Sequence, residues 1–164
     1  MTLFAWLLGL VLPACGAVGA HGLVAPVPLD FAHLERPASP NTALAAPAEF
    51  RPRPDLATPV YPVPAAALFA TVRAMAAAQP RTYPAAVFPE RAQADWVVRS
   101  AIWNFPDLVT AQVVADGAGE SRLILYSRSV YGRSDFGANR ARLTVWLAAL
   151  AAAISHPDPG PQAR

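Results

Sequence analysis

Ten of the chain's 18 prolines fall between residues 16 and 64, in steps such as APVP, RPASP, RPRP and YPVP. Each proline removes a backbone donor, fixes φ and pushes the residue before it toward extended geometry. Residues 21–60 therefore read as a semi-rigid polyproline-like tether or as an arm that wraps onto the domain through Phe31, Leu34 and Leu44. Disordered linkers rarely keep such apolar side chains, and both readings stand on the sequence alone.

Ahead of the prolines, Met1 to Ala20 carries no charged side chain, and Leu3–Leu12 is a compact apolar block, LFAWLLGLVL. That block has the length of a signal-peptide core and is short for a full membrane span. The following Leu12, Pro13, Ala14 and Cys15 are similar to the lipobox of bacterial lipoproteins, in which the cysteine is acylated after cleavage in front of it. Pro13 is unusual in that pattern, and no basic side chain precedes the apolar block. Residues 1–20 are thus expected to be a lipoprotein anchor with Cys15 as its lipidation site, an uncleaved membrane anchor, a cleaved export signal, or no targeting element. The first three set the domain in the cell envelope, facing the periplasm or exterior, and the two anchored forms make the membrane a partner through the N-terminus. The alternative for Cys15 is a small buried apolar residue. With one cysteine in the chain, neither an internal disulfide nor a cysteine-built metal site can form.

Regular structure is expected over residues 61–155, with 156–164 as a flexible tail. Leu68, Val72 and Met75 recur at helical spacing between Pro64 and Pro80. Four strands follow, Arg81–Phe88, Ala94–Trp103, Leu108–Ala115 and Arg122–Ser129, separated by turns rich in Pro, Asn, Asp and Gly. Connections that short favour an antiparallel meander. A last helix from Phe136 to Ser155 carries Leu143, Trp146, Leu147, Leu150 and Ile154 on one stripe, with Asp135 or Ser134 as its cap. The expected fold class is α+β, a two-layer sandwich of a four-stranded antiparallel meander flanked in sequence by two helices, α-β-β-β-β-α.

All 13 basic residues are arginine, yet 11 acids reduce the net charge to +2, so nucleic-acid binding has little support. The three histidines, His21, His33 and His156, lie outside the expected strands and helices, which leaves Ser127, Ser129 and Ser134 without an obvious base. Glu90, Asp95, Asp107, Asp116, Glu120 and Asp135 lack metal-ligand spacing, and no phosphate-cradling glycine loop is present. No cofactor is implied. The aromatic set of Trp96, Trp103, Phe105, Tyr126, Tyr131 and Trp146 reads as core, with Phe105 alone placed to meet lipid or a partner.

The densest polar stretch is Ser127–Leu143, SRSVYGRSDFGANRARL. Alternation sets Ser127 and Ser129 on one face of the fourth strand and Arg128 on the other. Helix N-termini offer free N–H groups, so Ser127, Arg128, Ser129, Arg133, Ser134, Asp135, Asn139 and Arg140 form a candidate anion-binding corner for a small molecule, a lipid headgroup or an envelope protein. The plainer reading is a capped helix with glycines relieving a tight turn. Two further readings stay open: an envelope hydrolase using Ser127 or Ser129 with Asp135, and a purely structural module whose contact patch centres on Phe105.

The run LILYSRSVYGRSDFGANRARL, preceded by SAIWNFPDLV, resembles the bacterial family of proteins of unknown function DUF1499. The resemblance rests on Ser127, Arg128, Ser129, Gly132, Ser134, Asp135, Gly137, Asn139 and Arg140, with Phe105 and Asp107 in the preceding turn, and spans about Val63 to Leu150. Members often carry a leading segment rich in Pro, Cys and Asn; here RPASPNTALAAP keeps Pro40 and Asn41 without cysteine. The resemblance implies a fold and an envelope setting, and no activity.

Overall fold

The computed structural model describes residues 16–23 and 27–156; the apolar block, Cys15 and residues 157–164 lie outside them. The elements are β1 (Thr42–Ala46), β2 (Leu56–Ala57), α1 (Ala65–Ala77), β3 (Thr82–Phe88), β4 (Gln93–Arg99), β5 (Pro106–Ala115), β6 (Ser121–Ser129) and α2 (Ala138–Ser155). The class is α+β. The sheet, however, has six strands in the order β2-β1-β6-β5-β4-β3, so the four-stranded expectation is too small. β3 to β6 form the antiparallel meander; β1 then pairs antiparallel with β6, and β2 pairs parallel with β1. The two extra strands escape a pattern reading because β1 is TALAA, alanine-rich and set between Pro40 and Pro47. Without alternation of bulky and polar residues, a strand gives no period-two signal.

Both helices pack on one sheet face. Leu68, Val72 and Met75 of α1 and Leu143, Trp146 and Leu150 of α2 are buried against Ala94, Trp96, Val98, Val109, Ala111, Val113, Leu123 and Leu125. Each such large side chain contributes about 1.5–3 kcal/mol on leaving water. Trp146 meets Trp96 edge-on, with centroids 5.8 Å apart. Helix α2 lies over β1 and β6, where Ala43 and Ala45 present only methyl groups to it.

The opposite face carries the proline-rich segment. Phe31 and Leu34 are buried with Leu44, Ala46, Ile124 and Tyr126, and Leu29 and Phe50 pack beside them. Gln93, fully buried, holds Leu29 at both polar groups: its Oε1 accepts from Leu29 N at 2.8 Å and its Nε2 donates to Leu29 O at 2.9 Å. Further along, Arg99 donates from Nε to Gly19 O at 2.7 Å and from Nη2 to His21 O at 2.7 Å. Covered on both faces, β4 is buried along all seven residues. Strand β4 ends at Arg99, and residues 101–103 form a turn closed by Asn104 at φ 55°. Trp103 therefore lies outside the strand that alternation assigned to it.

Candidate functional site

Register and helical spacing assemble one polar cluster at the β6-to-α2 junction. Ser127 and Ser129 share the helix-facing side of β6, and Asp107 pairs with Ser129 in the neighbouring strand. On α2, Asn139 and Arg142 are three residues apart and point to the same side. Arg142 Nη2 lies 2.5 Å from Asp107 Oδ2, while its Nη1 donates to Ser127 Oγ at 2.8 Å and to Asn139 Oδ1 at 2.6 Å. Ser127 in turn donates to Asn139 Oδ1 at 2.5 Å. Asn139 Nδ2 faces three acceptors: Asn41 O at 2.9 Å, Ser129 Oγ at 3.0 Å and Asp135 Oδ2 at 2.7 Å. Two hydrogens serve all three, so Asn139, with no exposed surface, has no donor left for a ligand.

The loop before α2 is fixed by the same groups. Asn41 Nδ2 donates to Gly132 O at 2.7 Å. Gly137, at φ 83°, makes the turn into the helix and stands at its cap position without a side-chain bond. The capping comes from further back: Asp135 Oδ1 accepts from Gly137 N at 3.0 Å and Oδ2 from Asn139 N at 2.9 Å. The helix accordingly begins at Ala138, two residues later than the apolar pattern suggests. Burial acts to raise the Asp135 pKa, but the Asn139 and Gly137 N–H groups and the Asn139 amide outweigh it, and the carboxyl is held below its ordinary value. Those N–H groups are thereby committed to Asp135.

Beside the cluster opens a pocket of about 370 Å³. Asp107, Ser129 and Asp135 supply its polar lining, with Ser100 and Ser134, and the aromatic rings of Trp103, Phe105, Tyr131 and Phe136 line it too. The 100–105 loop is closed by Ser100, whose N donates to Phe105 O and whose Oγ accepts from Phe105 N, both at 2.9 Å. Trp103 is 71% exposed and Phe136 98%. Of the aromatic set read as core, Trp96, Tyr126 and Trp146 are buried, whereas Trp103 stands in solvent.

The eight candidate residues divide four ways. Ser127, Ser129, Asp135 and Asn139 come together in the cluster; Ser134 lines the pocket; Arg133 and Arg140 are exposed at the same junction. Arg128 is on the opposite sheet face, its guanidinium 5.7 Å from the Tyr126 ring centroid. The residues that the sequence reading did not select are Arg142, Asp107 and Asn41. Arg142 had one visible signal, its three-residue offset from Asn139 beside the apolar stripe, but its partner lies 35 positions away. Among the described residues no group of three or more His, Cys, Asp or Glu could hold a metal, and no helix is long and apolar enough to cross a membrane.

A family model described as "Protein of unknown function (DUF1499)" matches residues 34–150. No curated protein matches the chain.

Proposed function

The chain belongs to the DUF1499 family, and from that premise we propose that it is a noncatalytic binding module of the cell envelope whose ligand occupies the pocket at the β6-to-α2 junction. The observation that carries this reading is the pairing of an open aromatic pocket with a buried, mutually bonded polar cluster beneath it. Such a base holds the lining in place before a ligand arrives, which reduces the ordering cost of binding. Planar or apolar parts of the ligand meet Trp103, Phe105, Tyr131 and Phe136, and hydroxyl groups meet Ser129 and Ser134. An anionic group is met at the rim by Arg133, between the lining residues Gly132 and Ser134, and by Arg140 on the first turn of α2. Arg128 takes no part.

The noncatalytic assignment rests on Ser127. Its hydroxyl is fully buried and donates to the amide oxygen of Asn139, which is no base, while it accepts from the Arg142 cation. Asp135, the partner a hydrolase would call on, accepts from Asn139 and Gly137 at the helix start.

Titrating inorganic phosphate and glycerol phosphate against the protein, with tryptophan fluorescence as readout, tests the proposal. A saturable change is expected, weakened at least about tenfold in the Arg133→Ala, Arg140→Ala double variant and unchanged in Arg128→Ala. Equal binding in all three, or none in any, removes the anion contact from the reading.

A further inference from the structure

We infer that the pocket-bearing end of the domain is a lipid-contacting surface, where the 100–105 loop and Phe136 enter the interfacial layer of the membrane that receives the N-terminal apolar block. This rests on the envelope reading above. Three observations point there.

The first is where the chain enters the fold. Ala17 O accepts from Asn104 Nδ2 at 3.0 Å, and Asn104 sits between Trp103 and Phe105. Arg99, immediately before that loop, holds Gly19 and His21. Ala17 lies five positions past Leu12, the end of the apolar block, a separation of at most about 18 Å. A block seated in a bilayer therefore keeps this loop within reach of the headgroups, whatever the length of the proline-rich stretch that follows.

The second is what the loop exposes. Ile102 is 84% exposed, Trp103 71%, Phe105 43% and Phe136 98%, with Val18 at 76% on the entering chain. Isolated apolar side chains on a surface are ordinary; here Trp103, Phe105 and Phe136 surround one pocket mouth. Phe136 also adopts a positive φ, 52°, which a bulky side chain avoids, whereas Asn104, at 55°, is of a type that tolerates it. Strain of this kind persists where a site uses it, and here it holds a phenyl ring in water that an apolar phase would take up. Tryptophan and phenylalanine at a headgroup boundary find one.

The third is charge. Arg81, exposed, donates to Asn104 Oδ1 at 2.8 Å, and exposed Arg133 flanks the pocket loop. Arginines around an aromatic tip suit anionic headgroups. The pocket mouth then faces the membrane, where lipid headgroups are the most concentrated source of phosphate.

Spin labelling of the full chain in mixed phosphatidylcholine and phosphatidylglycerol vesicles tests this. In a Cys15→Ala background, labels go on Ile102→Cys and Phe136→Cys at the tip, on Val114→Cys and Val145→Cys elsewhere on the surface, and on Leu7→Cys in the apolar block. The relaxation read is accessibility to oxygen, which enters lipid, against a water-soluble nickel chelate. Tip labels are expected to favour oxygen as Leu7 does, with Val114 and Val145 favouring nickel. Aqueous tip labels with Leu7 in lipid overturn the docking and leave the anchor standing. Tip labels in lipid with Leu7 aqueous uphold the docking and discard the anchor; all labels aqueous discard both. Tip labels shielded from both reagents mean a protein neighbour, a second copy of the chain among them, and also overturn it.

Discussion

Arg142 Nη2 lies 2.5 Å from Asp107 Oδ2, with the two side chains only 12% and 10% exposed. The pair ties the start of β5 to the second turn of α2, and both partners also border the pocket cluster. A half-broken buried ion pair leaves a desolvated charge without compensation. Asp107→Leu and Arg142→Met are each expected to cost about 3–5 kcal/mol. The double variant Asp107→Leu, Arg142→Met is expected to cost less than the two singles added together. Urea denaturation of the four proteins measures this, and strict additivity would falsify the coupling.

Asp135 gives a pH signature. Its folded pKa is depressed, so its contribution is present above the unfolded value of about 3.9 and is lost as pH falls through the lower folded value. Asp135→Ala is expected to destabilise the protein by about 1 kcal/mol at pH 7, in line with loss of a helix cap. Thermal melts of variant and wild type should converge as the pH is taken below the lowered folded value.

Asp95 behaves in the opposite sense. It is 4% exposed and, among the described residues, its Oδ1 has no hydrogen-bond partner. Burial raises its pKa against the opposing pull of Thr110 and the Arg128 charge. A raised folded value means stability that is full below the unfolded pKa and is lost as pH rises through the folded one, so at neutral pH the ionised carboxylate is a cost. Asp95→Asn is expected to raise Tm at pH 7 by roughly 2–4 °C, a gain that vanishes near pH 3. A variant less stable than wild type at pH 7 would contradict this.

Gln93 holds the proline-rich arm with one side chain. Its carboxamide engages both the N–H and the carbonyl of Leu29. Gln93→Leu leaves those two backbone groups unpaired beside the sheet. Amide exchange in residues 27–36 is expected to quicken at least about tenfold, while exchange in β5 and β6 stays slow. Unchanged exchange at Phe31 and Leu34 would show that apolar packing alone holds the arm.

The sequence disclosed what repeats and hid what is distant. Leu68, Val72 and Met75, and Leu143, Trp146 and Leu150, announce two helices by spacing, and all six are buried. The meander strands are legible from alternation and from their turns. Strand β1 is not, because Ala43, Ala45 and Ala46 look alike on either face and its pairing with Tyr126, Ser127 and Arg128 joins residues more than 80 positions apart. The site divides along the same line. Ser127, Ser129, Asp135 and Asn139 lie within one short stretch and could be grouped from it. Asp107 and Arg142, and Asn41 with its reach to Gly132, depend on the sheet having brought them together. Arg128 belongs to that stretch in sequence, but strand alternation turns it away from the junction.

Both margins of the sheet also govern how the protein behaves in company. One edge is β2, two residues long. The other is β3, which carries Pro84 and a register break between Pro84 and Ala86. A strand of two residues and a strand lacking an amide at its bend give a neighbouring chain no continuous row of donors and acceptors to copy. Crowded copies of this fold can therefore lie side by side without templating a growing fibril.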